Sequence, residues 1–154
     1  MTKIALVTGA TSGIGKATAF KLSKLGYSLI ISGRRKERLE QLAAVLRFEG
    51  TEVYVLSFDI QERTQVETAI DSLPTEWKAI DVLVNNAGLA AGKDAIYDGD
   101  IDNWERMLNT NVKGLLYISR KVMPLMVANS KGHIINIGST AGREVYPGGN
   151  VYCA

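Results

Sequence analysis

Apolar positions along this chain switch repeatedly between short continuous runs, expected of buried strands, and helical spacing. Lys3–Thr8 (KIALVT) is an apolar run closed by glycine and is predicted to be a strand. After it, Ile14, Ala17, Leu22 and Leu25 fall on one helical face, with Gly26 placed just past the helix end. Ser28–Ser32 is a second buried strand. Leu39, Leu42, Ala43 and Leu46 form an i, i+3, i+4, i+7 stripe within a helix over Arg35–Glu49, stopped at Gly50. Glu52–Phe58 is the third strand. A third helix carries Val66, Ala69, Ile70 and Leu73 and ends at Pro74. Asp81–Val84 is the fourth strand, followed by a polar, Gly- and Asp-rich loop to about Asp102. The pattern over Ile101–Val127 then reads as one long helix, with Trp104, Met107, Leu108, Leu115, Leu116, Val122, Met123 and Met126 inward and Pro124 expected to bend or end it. His133–Ile137 is the fifth strand, Ser139–Gly149 a glycine-rich loop, and Asn150–Ala154 the start of another helix. Strands alternating with helices imply an α/β fold, a parallel sheet covered by helices on both faces.

Composition changes this picture little. Over 154 residues, 46% hydrophobic and 22% charged, the balance excludes a disordered chain. The single cysteine, Cys153, excludes an internal disulfide framework and a cysteine-based zinc site. The one histidine, His133, is expected at the entry to the fifth strand without a metal partner. A net charge of +2 does not call for nucleic acid. The opening MTKIALVTGA has no signal-peptide pattern, and no apolar stretch is long enough for a membrane span. A cytoplasmic protein is the expectation.

The chemistry begins where the first strand meets the first helix, at Thr8-Gly9-Ala10-Thr11-Ser12-Gly13-Ile14-Gly15. Gly9 suits a tight turn, Gly13 the close approach of a diphosphate, and Gly15 the packing of helix on strand. The helix N-terminus offers free N–H groups and partial positive charge to phosphates. The spacing Gly-x-x-x-Gly-x-Gly differs from the commonest dinucleotide fingerprint. NAD-binding chains usually place an acid at the end of the second strand, on the adenosine ribose. Here Ser32-Gly33-Arg34-Arg35 stands there, so a 2′-phosphate is favoured and NADP(H) is the expected cofactor. The two arginines also fit solvated positions heading a charged helix.

With these residues in place the chain resembles the short-chain dehydrogenase/reductase family along its whole length. Thr8–Gly15 is similar to that family's cofactor loop, with Thr11, Ser12 and Ile14 between its glycines. Asp59, with Ile60, resembles the adenine-side acid after the third strand, and Asn85-Asn86-Ala87-Gly88 the family's NNAG turn. Asn111, Ser139 and Tyr152 resemble its catalytic asparagine, serine and tyrosine. Ser72-Leu73-Pro74-x-Glu76-Trp77, Gly138–Gly142 and Gly148–Tyr152 resemble the subgroup of NADP-dependent 3-hydroxy acid dehydrogenases.

The resemblance implies a Rossmann-type doubly wound sheet, here its first five strands, and one NADP-binding domain over residues 1–154. It implies hydride transfer between nicotinamide and a short, serine-like 3-hydroxy acid, with Tyr152 as general acid/base, also touching the cofactor. Ser139 would hydrogen-bond the substrate oxygen and Asn111 hold a water of the proton relay. A phenol titrates near 10 unperturbed, so acting at neutral pH requires about 4 kcal/mol of stabilisation of its anion. The family's lysine four residues after the tyrosine would fall past Ala154, so these residues are expected to be the N-terminal part of a longer homodimeric or homotetrameric enzyme. Two other readings stay open: a reductase for another carbonyl, such as a 3-oxoacyl thioester, and a nucleotide-binding fragment without turnover. As an isolated fragment, this stretch is expected to lack activity.

Overall fold

The computed structural model describes residues 3–154; Met1 and Thr2, which belong to the opening and to the 1–154 domain read above, lie outside the described residues. Five parallel strands, β1 (Ile4–Thr8), β2 (Ser28–Gly33), β3 (Val53–Ser57), β4 (Ile80–Asn85) and β5 (His133–Asn136), pair in the order β3-β2-β1-β4-β5. Chain direction along the sheet reverses after β3, which returns to the far side of β1 as β4. That reversal opens a crevice at the carboxyl ends of β1 and β4, where ligands of such sheets bind. The helices are α1 (Gly13–Lys24), α2 (Lys36–Phe48), α3 (Arg63–Asp71), α4 (Ile101–Met107), α5 (Leu115–Ala128) and α6 (Asn150–Cys153).

Because side chains alternate along each strand, the sheet buries one set of residues on each face. Ala5, Val7, Leu29 and Ile31 meet α1 and α2 through Ala19, Leu39, Leu42, Ala43 and Leu46. Leu6, Ile30, Leu56 and Leu83 meet α3 and α5 through Val66, Ile70, Ile118, Val122 and Met126. The second helix thus buries the four residues of its expected stripe.

The first helix does so only in part: Leu22 packs half-buried on the same cluster, Ile14, Ala17 and Leu25 are exposed, and the fully buried positions are the small residues Gly15 and Ala19. Gly26, with φ 80°, does follow its end in the left-handed conformation.

The long helix also departs from expectation. Between α4 and α5, Leu108–Gly114 is a π-helical turn, and the buried spine runs Met107, Thr110, Gly114, Ile118, Val122, Met126. Leu108, Leu116 and Met123, expected inward, are exposed, as are Val112 and Val127. The helix also continues past Pro124 to Ala128. Pro124 and Arg120 are both exposed, so the carbonyl deprived of its donor lies on the solvent side. A 3₁₀ turn at Thr75–Trp77 follows Pro74.

At the end of the sheet away from the crevice, the Asp81 carboxylate accepts the Ile4 N–H at 2.8 Å and pairs with Lys131 at 2.7 Å. Burial alone would raise its pKa. The Lys131 and Ile4 hydrogen bonds, with the charges of Lys131 and Lys3, outweigh burial and hold it below the ordinary carboxylate value. No helix among the described residues is long and apolar enough to cross a membrane.

Candidate active site and cofactor groove

The loop from β1 to α1 is built around glycine at two positions where nothing else fits. Gly9 has φ 64°, and a Cβ there would stand 2.9 Å from the Ala87 Cα. At Gly15 a Cβ would collide with the Asn86 carboxamide and the Gly9 carbonyl. The clearance that Gly15 provides is therefore against the loop and Asn86, not against the strand as the spacing suggested. Gly13, at φ 54°, has open space beside it.

Thr8 fastens this loop to the end of β4. Its buried hydroxyl donates to the Val84 carbonyl at 3.3 Å and accepts the N–H groups of Asn86 and Ala87, both at 3.0 Å. Asn86 reciprocates, donating from Nδ2 to the carbonyls of Thr8 and Gly9 at 2.9 and 3.2 Å. Sequence reasoning placed Thr8 at the head of the loop but missed the role of its hydroxyl, because its partners at the end of β4 are far away in sequence.

Ser12 stands at the N-cap of α1 in an extended conformation, yet its side chain caps no N–H, and no acid lies in the first turn. The orphan N–H groups there remain free for an anion. The Ser12 and Thr11 hydroxyls instead accept from Arg35 Nη2, at 3.3 and 2.6 Å. Arg34 lies 3.5 Å from the Asp59 carboxylate, which also accepts the Gln61 N–H at 3.0 Å. Ile60 is buried against the helix at Gly114, where a Cβ would come within 3.0 Å of it.

Across the crevice, the π turn brings Asn111 to the segment after β4. Its Oδ1 accepts the Leu89 N–H at 2.9 Å and its Nδ2 donates to the Leu89 carbonyl at 2.8 Å. Ser139 follows β5 and heads a 3₁₀ turn, Thr140–Gly142, its hydroxyl accepting the Ala141 N–H at 3.2 Å. Tyr152 is half-buried in α6, its N–H bonded to the Gly149 carbonyl at 2.9 Å. His133 is exposed at the start of β5, and Cys153 is half-buried against Gly149. Among the described residues no cluster of three or more His, Cys, Asp or Glu side chains stands together.

One groove of about 990 Å³ collects these parts. The glycine loop, Arg34, Arg35, Asp59 and Ile60 line it on one side of the β1/β4 crevice; Asn86, Ala87, Gly88, Asn111, Ser139 and Tyr152 line it on the other. Two buried polar atoms of lining residues, Asn85 Oδ1 and Thr110 Oγ1, have no hydrogen-bond partner among the described residues. Asn85 spends its Nδ2 on Ser119 and on its β5 neighbour Asn136. Volume, open N–H groups, a cradle that a Cβ at Gly13 would fill and a guanidinium rim together fit a phosphorylated dinucleotide.

Comparison with known proteins agrees. Over 151 residues the chain is 48% identical to the NADP-dependent 3-hydroxy acid dehydrogenase of Shigella flexneri, covering 98% of this chain and 60% of that protein. It is 44% identical to the corresponding enzyme of Schizosaccharomyces pombe, again over 60% of its length. The chain therefore spans about 60% of the curated relatives it matches. Among solved structures, serine dehydrogenase from Escherichia coli superposes with a TM-score of 0.92 at 47% identity, over 97% of this chain and 68% of that one. The closed form of serine dehydrogenase complexed with NADP+ matches equally well, with 59% of its chain covered. The family model for short chain dehydrogenases matches residues 3–154, and the chain belongs to that family.

Proposed function

We propose that the protein is an NADP-dependent oxidoreductase acting on a short 3-hydroxy acid of the serine type, and that residues 1–154 form one NADP-binding domain. A single observation carries the reading: the glycine loop, the Arg34–Arg35 rim and the trio Asn111, Ser139 and Tyr152 share one groove. The names of the relatives support both the cofactor and the substrate class.

The free N–H groups at the start of α1 hold the diphosphate, with Gly13 leaving room for it. Arg34 and Arg35 hold the 2′-phosphate, Asp59 and Ile60 border the adenine, and Asn86, Ala87 and Gly88 support the middle of the groove. When bound, NADP would supply the hydride donor or acceptor. Ser139 orients the substrate oxygen through its hydroxyl. Tyr152 delivers the proton to that oxygen in reduction and takes it in oxidation. The Asn111 amide is committed to Leu89 through its oxygen and one N–H, which leaves its second N–H for the relay water.

A cytoplasmic, homodimeric or homotetrameric enzyme is the setting we infer. The exposed apolar row Leu108, Val112, Leu116, Met123 and Val127 supports association between copies.

The deciding experiment follows NADPH absorbance in the gene product as encoded, with serine and 3-hydroxyisobutyrate as substrates. Tyr152→Phe is expected to lower kcat by roughly 10²–10⁴-fold while NADPH still binds. Turnover that survives in this variant overturns the role of Tyr152. NADPH binding without turnover of any 3-hydroxy acid or 3-oxoacyl thioester favours the nucleotide-binding reading instead.

A further inference from the structure

Asn150 and Ser130 are the non-glycine residues with left-handed backbones among those described, and Asn150 has φ 25°. L side chains avoid this region, and asparagine tolerates it by bonding locally. Asn150 does so: its Oδ1 accepts the Val151 N–H at 2.5 Å. Its Nδ2 reaches across 56 positions of sequence to donate to the Asp94 carbonyl at 2.8 Å. Two residues earlier, Gly148, at φ 80°, lies so close to Lys93 that a Cβ would stand 3.1 Å from its carbonyl carbon. Residues 148–150 thus lean on the backbone of Lys93 and Asp94.

The other end of that stretch is held by Asn111, which grips both backbone groups of Leu89. Leu89–Asp94 is therefore a strap fastened by two asparagine carboxamides. One comes from the π turn, the other from the turn entering α6, two residues before Tyr152. Leu89, at the first fastening, and Ala90 beside it line the groove.

We propose that Asn150 is a positioning residue: its bond to Asp94 holds the Tyr152 turn at a fixed separation from the Leu89–Asp94 strap, across the substrate end of the groove. This rests on the reading of Tyr152 as the proton carrier. Proton transfer is sensitive to placement, and a displacement of about 1 Å costs on the order of 10²-fold in rate.

Two variants separate the bond from the backbone. Asn150→Asp keeps an acceptor for Val151 but loses the donor to Asp94; Asn150→Gly relieves the left-handed conformation and loses both bonds. Both are compared with wild type and Tyr152→Phe in the gene product as encoded, with kcat corrected for the NADPH-binding fraction. Expected for both is a fall in kcat of about 10²-fold, with substrate KM and NADPH Kd little changed. A residue that only supports folding would lower the binding fraction and leave corrected kcat intact. Corrected kcat near wild type in Asn150→Asp, with Tyr152→Phe inactive, overturns the positioning role alone. Activity in Tyr152→Phe overturns the proton-carrier reading and this inference with it. Amide hydrogen exchange gives a readout free of turnover: Leu89–Asp94 is expected to exchange faster in both variants, and unchanged protection there overturns the proposal even if the wild type turns over no 3-hydroxy acid.

Discussion

Replacing Thr8 with valine keeps the shape of the side chain and removes one oxygen. In the structure that oxygen is the acceptor for two backbone N–H groups, Asn86 and Ala87, and donates to the Val84 carbonyl. Thr8 itself is 1% exposed, so water cannot replace the hydroxyl without opening the β1–β4 junction. An orphaned buried donor costs about 1–3 kcal/mol. The Asn86 N–H keeps the Val84 carbonyl as a second acceptor at 3.1 Å, so the loss falls on Ala87, which is only half-buried, and about 1.5 kcal/mol is expected. For a protein of this size or larger that corresponds to a fall in Tm of roughly 3–6 °C. The assay is urea denaturation followed by tryptophan fluorescence, with Thr8→Ser as the control that retains the oxygen. Thr8→Val should lower the midpoint at unchanged slope, and Thr8→Ser should recover most of the loss. NADPH affinity should fall as well, since the freed turn carries Gly9 away from its seat on Ala87. Thr8→Val within 0.5 kcal/mol of wild type, about the spread of a neutral surface substitution, would refute the claim that this hydroxyl locks the loop.

Other expectations follow from the same geometry. Arg34→Ala should weaken NADPH by about tenfold or somewhat more and leave NADH unaffected, because the guanidinium is 60% exposed and screened; equal losses for both cofactors would count against a 2′-phosphate site. Gly15→Ala should destabilise more than Gly13→Ala, since the first meets Asn86 and the Gly9 carbonyl and the second meets only its own left-handed backbone; thermal melts giving the reverse order would contradict the packing. Asp81→Asn should cost about 1–2 kcal/mol at neutral pH, discounted for the half-exposed Lys131. Because the folded carboxyl titrates below its unfolded value near 4, this contribution is complete above that pH and disappears as pH falls through the folded value. A penalty that does not shrink at all as the solution is acidified would exclude the ion pair as its source.

The pattern of large apolar residues read the second helix correctly and the first only in part. Leu39, Leu42, Ala43 and Leu46 bury bulk against the sheet, whereas the first helix buries the small residues Gly15 and Ala19, with Leu22 half-buried beside them. A hydrophobicity stripe weights size, so it passed over Gly15 and Ala19 and selected Ile14 and Leu25, both exposed. In the long helix, apolar residues occupy two faces, and nothing local to the sequence distinguishes the face on the sheet from the free one. The buried face there includes Thr110 and Gly114, which no stripe of large residues would include. The glycine loop was legible because phosphate recognition requires glycine and free N–H groups next to one another in sequence, whereas Asp59, Asn86, Asn111, Ser139 and Tyr152 were singled out through the family resemblance. The bonds made by the Thr8 and Asn150 side chains were not legible, since their partners, Val84, Ala87 and Asp94, lie 56–79 positions away.

The π turn at Leu108–Gly114 also bears on how this region can vary among related chains. A π turn takes up one residue more than an α turn over the same rotation, so the helix on either side keeps the orientation it would have without that residue. Removing one residue from this stretch would let the helix regularise with the Met107 and Ile118 ends still on the sheet, and the loss would fall on the widened turn that carries Asn111 to Leu89. A single deletion here should therefore spare the fold and disturb the site. Substitutions on the exposed face of the turn should accumulate freely.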